Sequence, residues 1–429
     1  MLKVISAKDY IEQVSKRNVS IYLQKQDKVE EILKEVIEKG DLALYKYAKE
    51  FDGVKDDNFS LKVSKDEIER AFKNINNDIR SIIDEAYDNI TIYHRKEKEE
   101  SWHFTRNGAF LGQLLNPIEK IGAYIPGGKG IYPSTVLMNC VPAQIAGVNE
   151  IYIASPPNEI GLIDPSIIYA ASLCGVKDIF KVGGAGAIAA FAYGTETVPK
   201  VYKIVGPGNL FVTTAKKLVY GDVDIDMIAG PSEIMILTDE LTNIDYLTYD
   251  LFSQSEHSED ASSIILVSNN ETANNIINSV KKKVVKSKRR DILTKSLTNN
   301  GMIVIYNSLD EAYNVINEYA PEHLEILIDI DFAELSLKIK NVGSIFLGAF
   351  TPEPVGDYFA GSNHSLPTGG TAKFFSPLGV YDFQKRTSII KYSKELFEKD
   401  YKKIASFAEY EGFFEHANSV KIRFNEPIN

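Results

Sequence analysis

Residues 179–205 read IFKVGGAGAIAAFAYGTETVPKVYKIV. A short, mostly apolar run, Ile179–Val182, leads into glycines at 183, 184 and 186, and an Ala-rich stretch follows. A second β-branched run, Val201–Val205, closes the segment. Two β-type runs around a helical stretch imply a βαβ unit with parallel strands. Further β-type runs extend the pattern in both directions: Ile151–Ala154 before it, then Ile234–Leu237, Ile264–Val267, Ile303–Ile305, Leu324–Ile328 and Ser344–Leu347, with helical stretches between most of them. Ala109–Leu115 and Ile121–Ile125, separated by Asn116-Pro117, precede the series. The expected fold class is therefore α/β, with a largely parallel sheet.

Outside this region the period changes. Val29, Ile32, Leu33, Val36 and Ile37 recur at helical spacing up to Gly40, and Lys65–Lys98 repeats the pattern, so the first hundred residues read as helix. Gly230-Pro231 interrupts the alternation and marks a domain seam. From Pro352 to Gly379 the chain is rich in Gly, Pro, Asn and Ser, which reads as a long ordered loop of the kind that carries function. Ser393–His416 is helical in pattern.

The 429 residues carry a formal net charge of −11, which argues against a nucleic-acid binder. The one dense basic run, Lys281–Arg290, follows an amphipathic stretch and reads as a solvated helix end. Cys140 and Cys174 sit in apolar sequence and form no disulfide framework, which fits a reducing cytoplasm and packing thiols. The first residues show no signal-peptide pattern, and no apolar stretch is long enough to span a membrane.

The six histidines are the most informative residues. His94 and His103 lie in charged or loop-like sequence and read as surface groups. The other four each have a carboxylate close by. In Ser253-Gln254-Ser255-Glu256-His257, Gln254 and His257 are three apart at a helix end, a spacing that puts two metal donors on one face; a polar helix end explains the pattern equally well. In Pro321-Glu322-His323, the proline sets an extended turn, so a carboxylate and an imidazole meet at a strand start, as an acid–base pair or a loop ion pair. Asp357 and His364 lie in the Gly-rich loop, and Glu411 and His416 near the C-terminus. One Gln, two His and one Asp make a mixed N/O donor set suited to Zn²⁺. Gly184-x-Gly186-x-x-Ala189 matches the dinucleotide fingerprint, but no acid closes the following strand, so the segment reads as a phosphate-tolerant turn. Gly206-Pro207-Gly208-Asn209 is a second strand-to-helix turn with backbone N–H groups open to anions.

Seven stretches in order resemble the histidinol dehydrogenase family: GAYIPGGKGIYPSTVLM from Gly122, Lys181–Ala190, VGPGN from Val205, AGPSE from Ala229, SQSEH from Ser253, APEHL from Ala320 and GDYFAGSNH from Gly356. The resemblance implies Gln254, His257, Asp357 and His416 as zinc ligands. It implies Glu322 as the base that activates water and His323 as its proton-transfer partner. It also implies substrate contacts at Ser232 and Glu411, shared with Gln254, His257, His323, Asp357 and His416, and NAD contacts at Tyr124, position 186 and Asn209. The family pattern has Gln where this chain has Gly186.

The same resemblance implies two related βαβ-type, incomplete Rossmann-like domains in an intertwined homodimer. The expected division is a helical segment at 1–24, a first α/β domain of 25–122 plus 233–377 with most of the site, an NAD-binding α/β domain at 123–232, and a segment at 378–429 that reaches the partner subunit. The implied reaction is the NAD-dependent, zinc-assisted oxidation of L-histidinol to L-histidine, the last step of histidine biosynthesis. A dehydrogenase on the same scaffold acting on another small polyol or amino alcohol is the alternative.

Overall fold

The computed structural model describes residues 2–14, 25–56, 58–127 and 130–425. In chain order its strands are β1 (Lys3–Ser6), β2 (Trp102–Arg106), β3 (Ala109–Pro117), β4 (Lys120–Tyr124), β5 (Glu150–Ser155), β6 (Asp178–Lys181), β7 (Lys203–Val205), β8 (Asp224–Ile225), β9 (Glu233–Leu237), β10 (Ser262–Val267), β11 (Gly301–Ile305), β12 (His323–Ile326), β13 (Ser344–Leu347) and β14 (Gln384–Tyr392). Every β-type run read from the sequence appears here, as β3–β7 and β9–β13.

The chain divides into two compact units, Met1–Glu97 with Ile118–Phe383, and Lys98–Pro117 with Gln384–Asn429. The first unit holds a five-stranded sheet in the order β6-β5-β4-β7-β8 and a six-stranded sheet in the order β1-β11-β10-β9-β12-β13. Neighbouring strands in both run parallel. Counted within its own segment, each sheet has the order third, second, first, fourth, fifth, and the second sheet gains β1 at its edge. Parallel strands covered on both faces need nearly continuous apolar sequence. Accordingly β9 is buried along its whole length, as are Ile264–Val267 of β10.

The structure corrects three expectations about the N-terminal hundred residues. The chain enters as a strand, β1, before the helix Ala7–Val14, while the rest of the expected 1–24 segment, residues 15–24, lies outside the described residues. Lys65–Lys98 is two helices, Lys65–Asn74 and Asn77–His94, because Asn76 caps the second by accepting from the N–H groups of Asp78 and Ile79. Helices Gln26–Lys39, Lys65–Asn74 and Asn77–His94 pack on helices Gly184–Tyr193, Pro165–Leu173 and Pro133–Ala146. They therefore cover the five-stranded sheet, whereas the sequence reading groups 25–122 with 233–377.

The second unit is built on the antiparallel sheet β14-β3-β2, followed by helices Lys394–Tyr410 and Phe414–Lys421. Neither β2 nor β14 stands out in sequence. All of β2 is exposed, as is most of β14, so no alternation of apolar and polar residues marks them.

Candidate active site

Glu322 and His323 stand together at the amino end of β12, beside Glu233 at the amino end of the adjacent strand β9. His323 opens β12, in register with Ile234 of β9. His323 Nδ1 lies 3.0 Å from the Glu233 carbonyl oxygen. A carbonyl only accepts, so Nδ1 carries the hydrogen and Nε2 is the nitrogen free to exchange a proton. The Glu233 N–H donates to Glu322 Oε2 at 2.8 Å. One peptide unit on either side of Glu233 thus orients both members of the pair. Just upstream, Ala320 adopts φ 54°, a left-handed conformation that a non-glycine residue holds only under constraint. It turns the chain from helix Leu309–Tyr319 into β12.

Two further helices, with the turn that follows the first, bring donors toward this place. Gln254 lies in the last turn of helix Ile244–Ser255, while His257 falls two residues beyond the helix end. The two therefore do not share a helix face as the spacing predicts; a turn, His257 N–H to the Gln254 carbonyl at 3.3 Å, brings them together. Asp357 belongs to a short helix, Glu353–Tyr358, inside the segment that reads as loop. Its Oδ1 is 3.6 Å from His323 Nε2. Glu353, one turn earlier, places Oε1 3.9 Å from His257 Nε2. His323, Glu353 and Asp357 offer donor atoms within 4.8 Å of one another. The sequence reading missed Glu353, because Pro352 and Pro354 hide its helical i, i+4 relation to Asp357.

The electrostatics fit a cation site. Gln254 is buried, and both its amide atoms, with His323 Nε2 and His364 Nε2, find no hydrogen-bond partner among the described residues. Such an accumulation of unpartnered buried N and O atoms is rare in folded proteins unless a ligand satisfies them. Burial pushes Glu322 up to about 8, against the pull of His323. Burial opposes the charge of His323, yet Glu322, Asp357 and Glu353 outweigh it and hold the imidazole well above its ordinary value. Burial also raises Asp357, but the nearby His323 imidazole outweighs it and holds the carboxyl below its ordinary value. Burial lowers His364 below its ordinary value, against the pull of Asp357.

Ser232 immediately precedes β9 and is held through its carbonyl, which accepts from the Ser262 N–H at 2.9 Å. Glu411 and His416 belong to the second unit, Glu411 at the end of helix Lys394–Tyr410 and His416 in helix Phe414–Lys421. His103 is exposed on β2 as expected. His94 is not a surface group: it is fully buried in helix Asn77–His94, with Nδ1 2.7 Å from Glu97.

The glycine turns follow β6 and β7 at the carboxyl end of the five-stranded sheet, and the second of them, Gly206–Asn209, stands where strand order reverses between β4 and β7. In open α/β sheets that crevice is where ligands bind. Tyr124 ends β4, and its hydroxyl accepts from the Gly184 N–H at 3.1 Å. Asn209 caps helix Leu210–Val219 and is itself exposed. Gly184 has φ 60°, whereas Gly186 lies within helix Gly184–Tyr193 at ordinary φ. A carboxylate does reach this turn, from an unexpected place: a Cβ on Gly183 would stand 2.6 Å from Asp52 Oδ1, and burial pushes Asp52 up to about 7.

Two parallel sheets of the same strand order, with a buried carboxylate–imidazole pair and a cluster of unpartnered donors, define an α/β enzyme. The particular family follows from comparison with known proteins. The histidinol dehydrogenase family model matches residues 15–424, and the chain belongs to that family. It is 43% identical to the histidinol dehydrogenase of Lactococcus lactis, over 99% of this chain and 100% of the relative. It is 46% identical to that of Oceanobacillus iheyensis, over 98% of this chain and 99% of the relative. The crystal structure of histidinol dehydrogenase from Elizabethkingia anophelis superposes with a TM-score of 0.92 at 34% identity, covering 99% of this chain and 98% of the other.

Proposed function

We propose that this chain oxidises L-histidinol to L-histidine in two steps through enclosed L-histidinal, using two NAD and one water, as the last step of histidine biosynthesis. The observation that carries this reading is the pair Glu322–His323, held by one backbone segment with Asp357 3.6 Å from His323 Nε2. Gln254, His257, Asp357 and, from the second unit, His416 would hold one zinc per subunit. When bound, zinc supplies a template for the substrate's imidazole and amine, and NAD takes the hydride in each oxidation.

In the first oxidation His323 Nε2 accepts the alcohol proton as the C–H bond gives up its hydride. In the second, ionised Glu322 takes a proton from water, whose oxygen adds to the aldehyde carbon while His323 returns its proton to the aldehyde oxygen; His323 then takes a proton back from the resulting hydrate as the second hydride leaves. A cation engaging Asp357 would weaken the pull that keeps His323 protonated, leaving Nε2 neutral and free to accept that proton. Ser232 and Glu411 would bind substrate. Tyr124, the backbone at Gly186 and Asn209 would line the cofactor.

The protein is proposed to act as a homodimer whose second unit completes the partner's site. Around Glu411 and His416 that unit exposes Phe407, Tyr410, Phe413 and Phe414, and contiguous exposed aromatics of this kind mark an interface. We assign the enzyme to the cytoplasm. The two free cysteines are buried, and no helix among the described residues is long and apolar enough to cross a membrane. The net charge of −11 fits a small-molecule enzyme with no nucleic-acid partner.

The test is absorbance of NADH on adding histidinol, with and without a chelator. Two NADH per histidinol, lost on chelation and restored by zinc, are expected. Absence of NADH with histidinol and zinc present would sink the reading.

A further inference from the structure

Asp250 and Glu325 take no part in the chemistry just described, yet they sit where the site's elements meet. Glu325 is fully buried on β12. Its Oε1 accepts from the Glu353 backbone N–H at 2.7 Å. Its Oε2 is buried and finds no N–H or O–H donor among the described residues, and the Asp250 carboxyl faces it at hydrogen-bonding range. Two carboxylates bond only when one of them carries a proton, and an O–H···O⁻ bond of that kind is among the strong ones.

The spacing gives the pair its meaning. Asp250 lies one helical turn before Gln254, Glu325 on the same side of β12 as His323, and Glu353 one helical turn before Asp357. These three elements each supply both a site residue and one member of this contact.

We propose that Glu325 and Asp250 share one proton and form a clasp, as positioning residues, that fixes helix Ile244–Ser255, β12 and helix Glu353–Tyr358 to one another and so sets the spacing of Gln254, His323 and Asp357. This rests on the reading of the site given above. Burial and the neighbouring carboxylates hold Glu325 well above the ordinary range, which keeps the shared proton in place at neutral pH. The titratable groups facing Glu325 are Asp250 and Glu353; its register partners, Ile236 on β9 and Phe346 on β13, carry no charge.

The test compares Glu325→Gln with Glu325→Leu. The Gln amide accepts from the Glu353 N–H and donates to Asp250 without a shared proton, whereas Leu keeps the bulk and loses both bonds. Zinc affinity of the purified enzymes, read by competition with a chromogenic chelator, should fall roughly tenfold or more for Leu and stay within about threefold for Gln. At alkaline pH wild type should lose affinity faster than Glu325→Gln. Wild-type affinity in Glu325→Leu, or equal damage in both variants, would overturn the clasp. If the Leu variant does not fold, the alkaline comparison decides, and identical pH profiles would overturn it. A wild-type chain that holds no zinc counts against the site reading instead. The clasp is then read from hydrogen exchange at the Glu353 amide, protected in wild type and Glu325→Gln if it exists and unprotected if it does not.

Discussion

His323 and Glu233 are joined ring to main chain: Nδ1–H donates to the Glu233 carbonyl at 3.0 Å, so the tautomer of the His323 imidazole is set by a backbone oxygen at the start of β9. The same residue's N–H holds Glu322. The side-chain identity of residue 233 has no part in either bond, which makes the two mutable residues separable in experiment.

Glu322→Gln retains an oxygen for the Glu233 N–H but no base. Oxidation of histidinol should stay within a few-fold of wild type, while oxidation of supplied histidinal falls by roughly 10²-fold or more. His323→Asn should damage both by about that factor. Single-turnover NADH formation from each substrate measures the two steps. Equal losses in both for Glu322→Gln would mean that it does not act on water alone.

The buried Glu322 should also write a pH limb. Only the ionised form accepts a proton, so histidinal oxidation should rise with pH through about 8, and at lower pH once bound cation and nicotinamide add positive charge. For stability the sign runs the other way. The folded value is raised from 4.5 to about 8, so its contribution is fully present below 4.5 and is lost as pH rises through 8. In metal-free protein Glu322→Gln should flatten the decline of Tm across that window. Parallel wild-type and variant curves would show that burial is not felt.

Gly186 should accept a side chain. It sits in a helix at ordinary φ, and an added Cβ meets only Leu44 and Tyr47 carbons at 3.6 Å, ordinary contact distance. Gly186→Gln should therefore fold and lower the KM for NAD, by the equivalent of one hydrogen bond, about 0.5–1.5 kcal/mol. Gly184→Ala, at φ 60°, should instead cost about 1 kcal/mol of stability. An unchanged or raised KM in Gly186→Gln would remove this position from the cofactor contacts.

A shared site predicts complementation. His257→Ala and His416→Ala homodimers should each be nearly inactive. If the second unit serves the partner, a mixed dimer has one site with both lesions and one with neither. Co-expression should then restore about a quarter of wild-type activity, since half the dimers are mixed and half their sites are intact. If each subunit completes its own site, activity stays at background. Mixed dimers shown to form without recovery would exclude sharing.

The parallel strands were legible because burial on both faces demands apolar, β-branched runs, and those stand out between glycines and helical stretches. Glu322 and His323 were legible for a related reason: Pro321 forces the chain extended just before a run of that kind. His94 misled because its charged neighbours, Arg95 to Glu100, lie beyond the helix, while its ring turns inward to Glu97. Glu353 was hidden by two prolines, and β14 by a surface-exposed strand whose partners, not its composition, hold it in a sheet.

By itself the sequence determined the α/β class, the βαβ repeats and the residue types of the site, since these follow from local periodicity and from polar groups that local structure cannot explain. Only the tertiary structure decided that both sheets share one strand order, that Asp52 reaches the glycine turn, that the Glu233 backbone bonds both Glu322 and His323, and that Glu325 accepts from the Glu353 backbone. Those relations join residues tens to hundreds of positions apart. They arise from strand register and helix packing, which depend on the whole core and leave no periodic mark on any one segment.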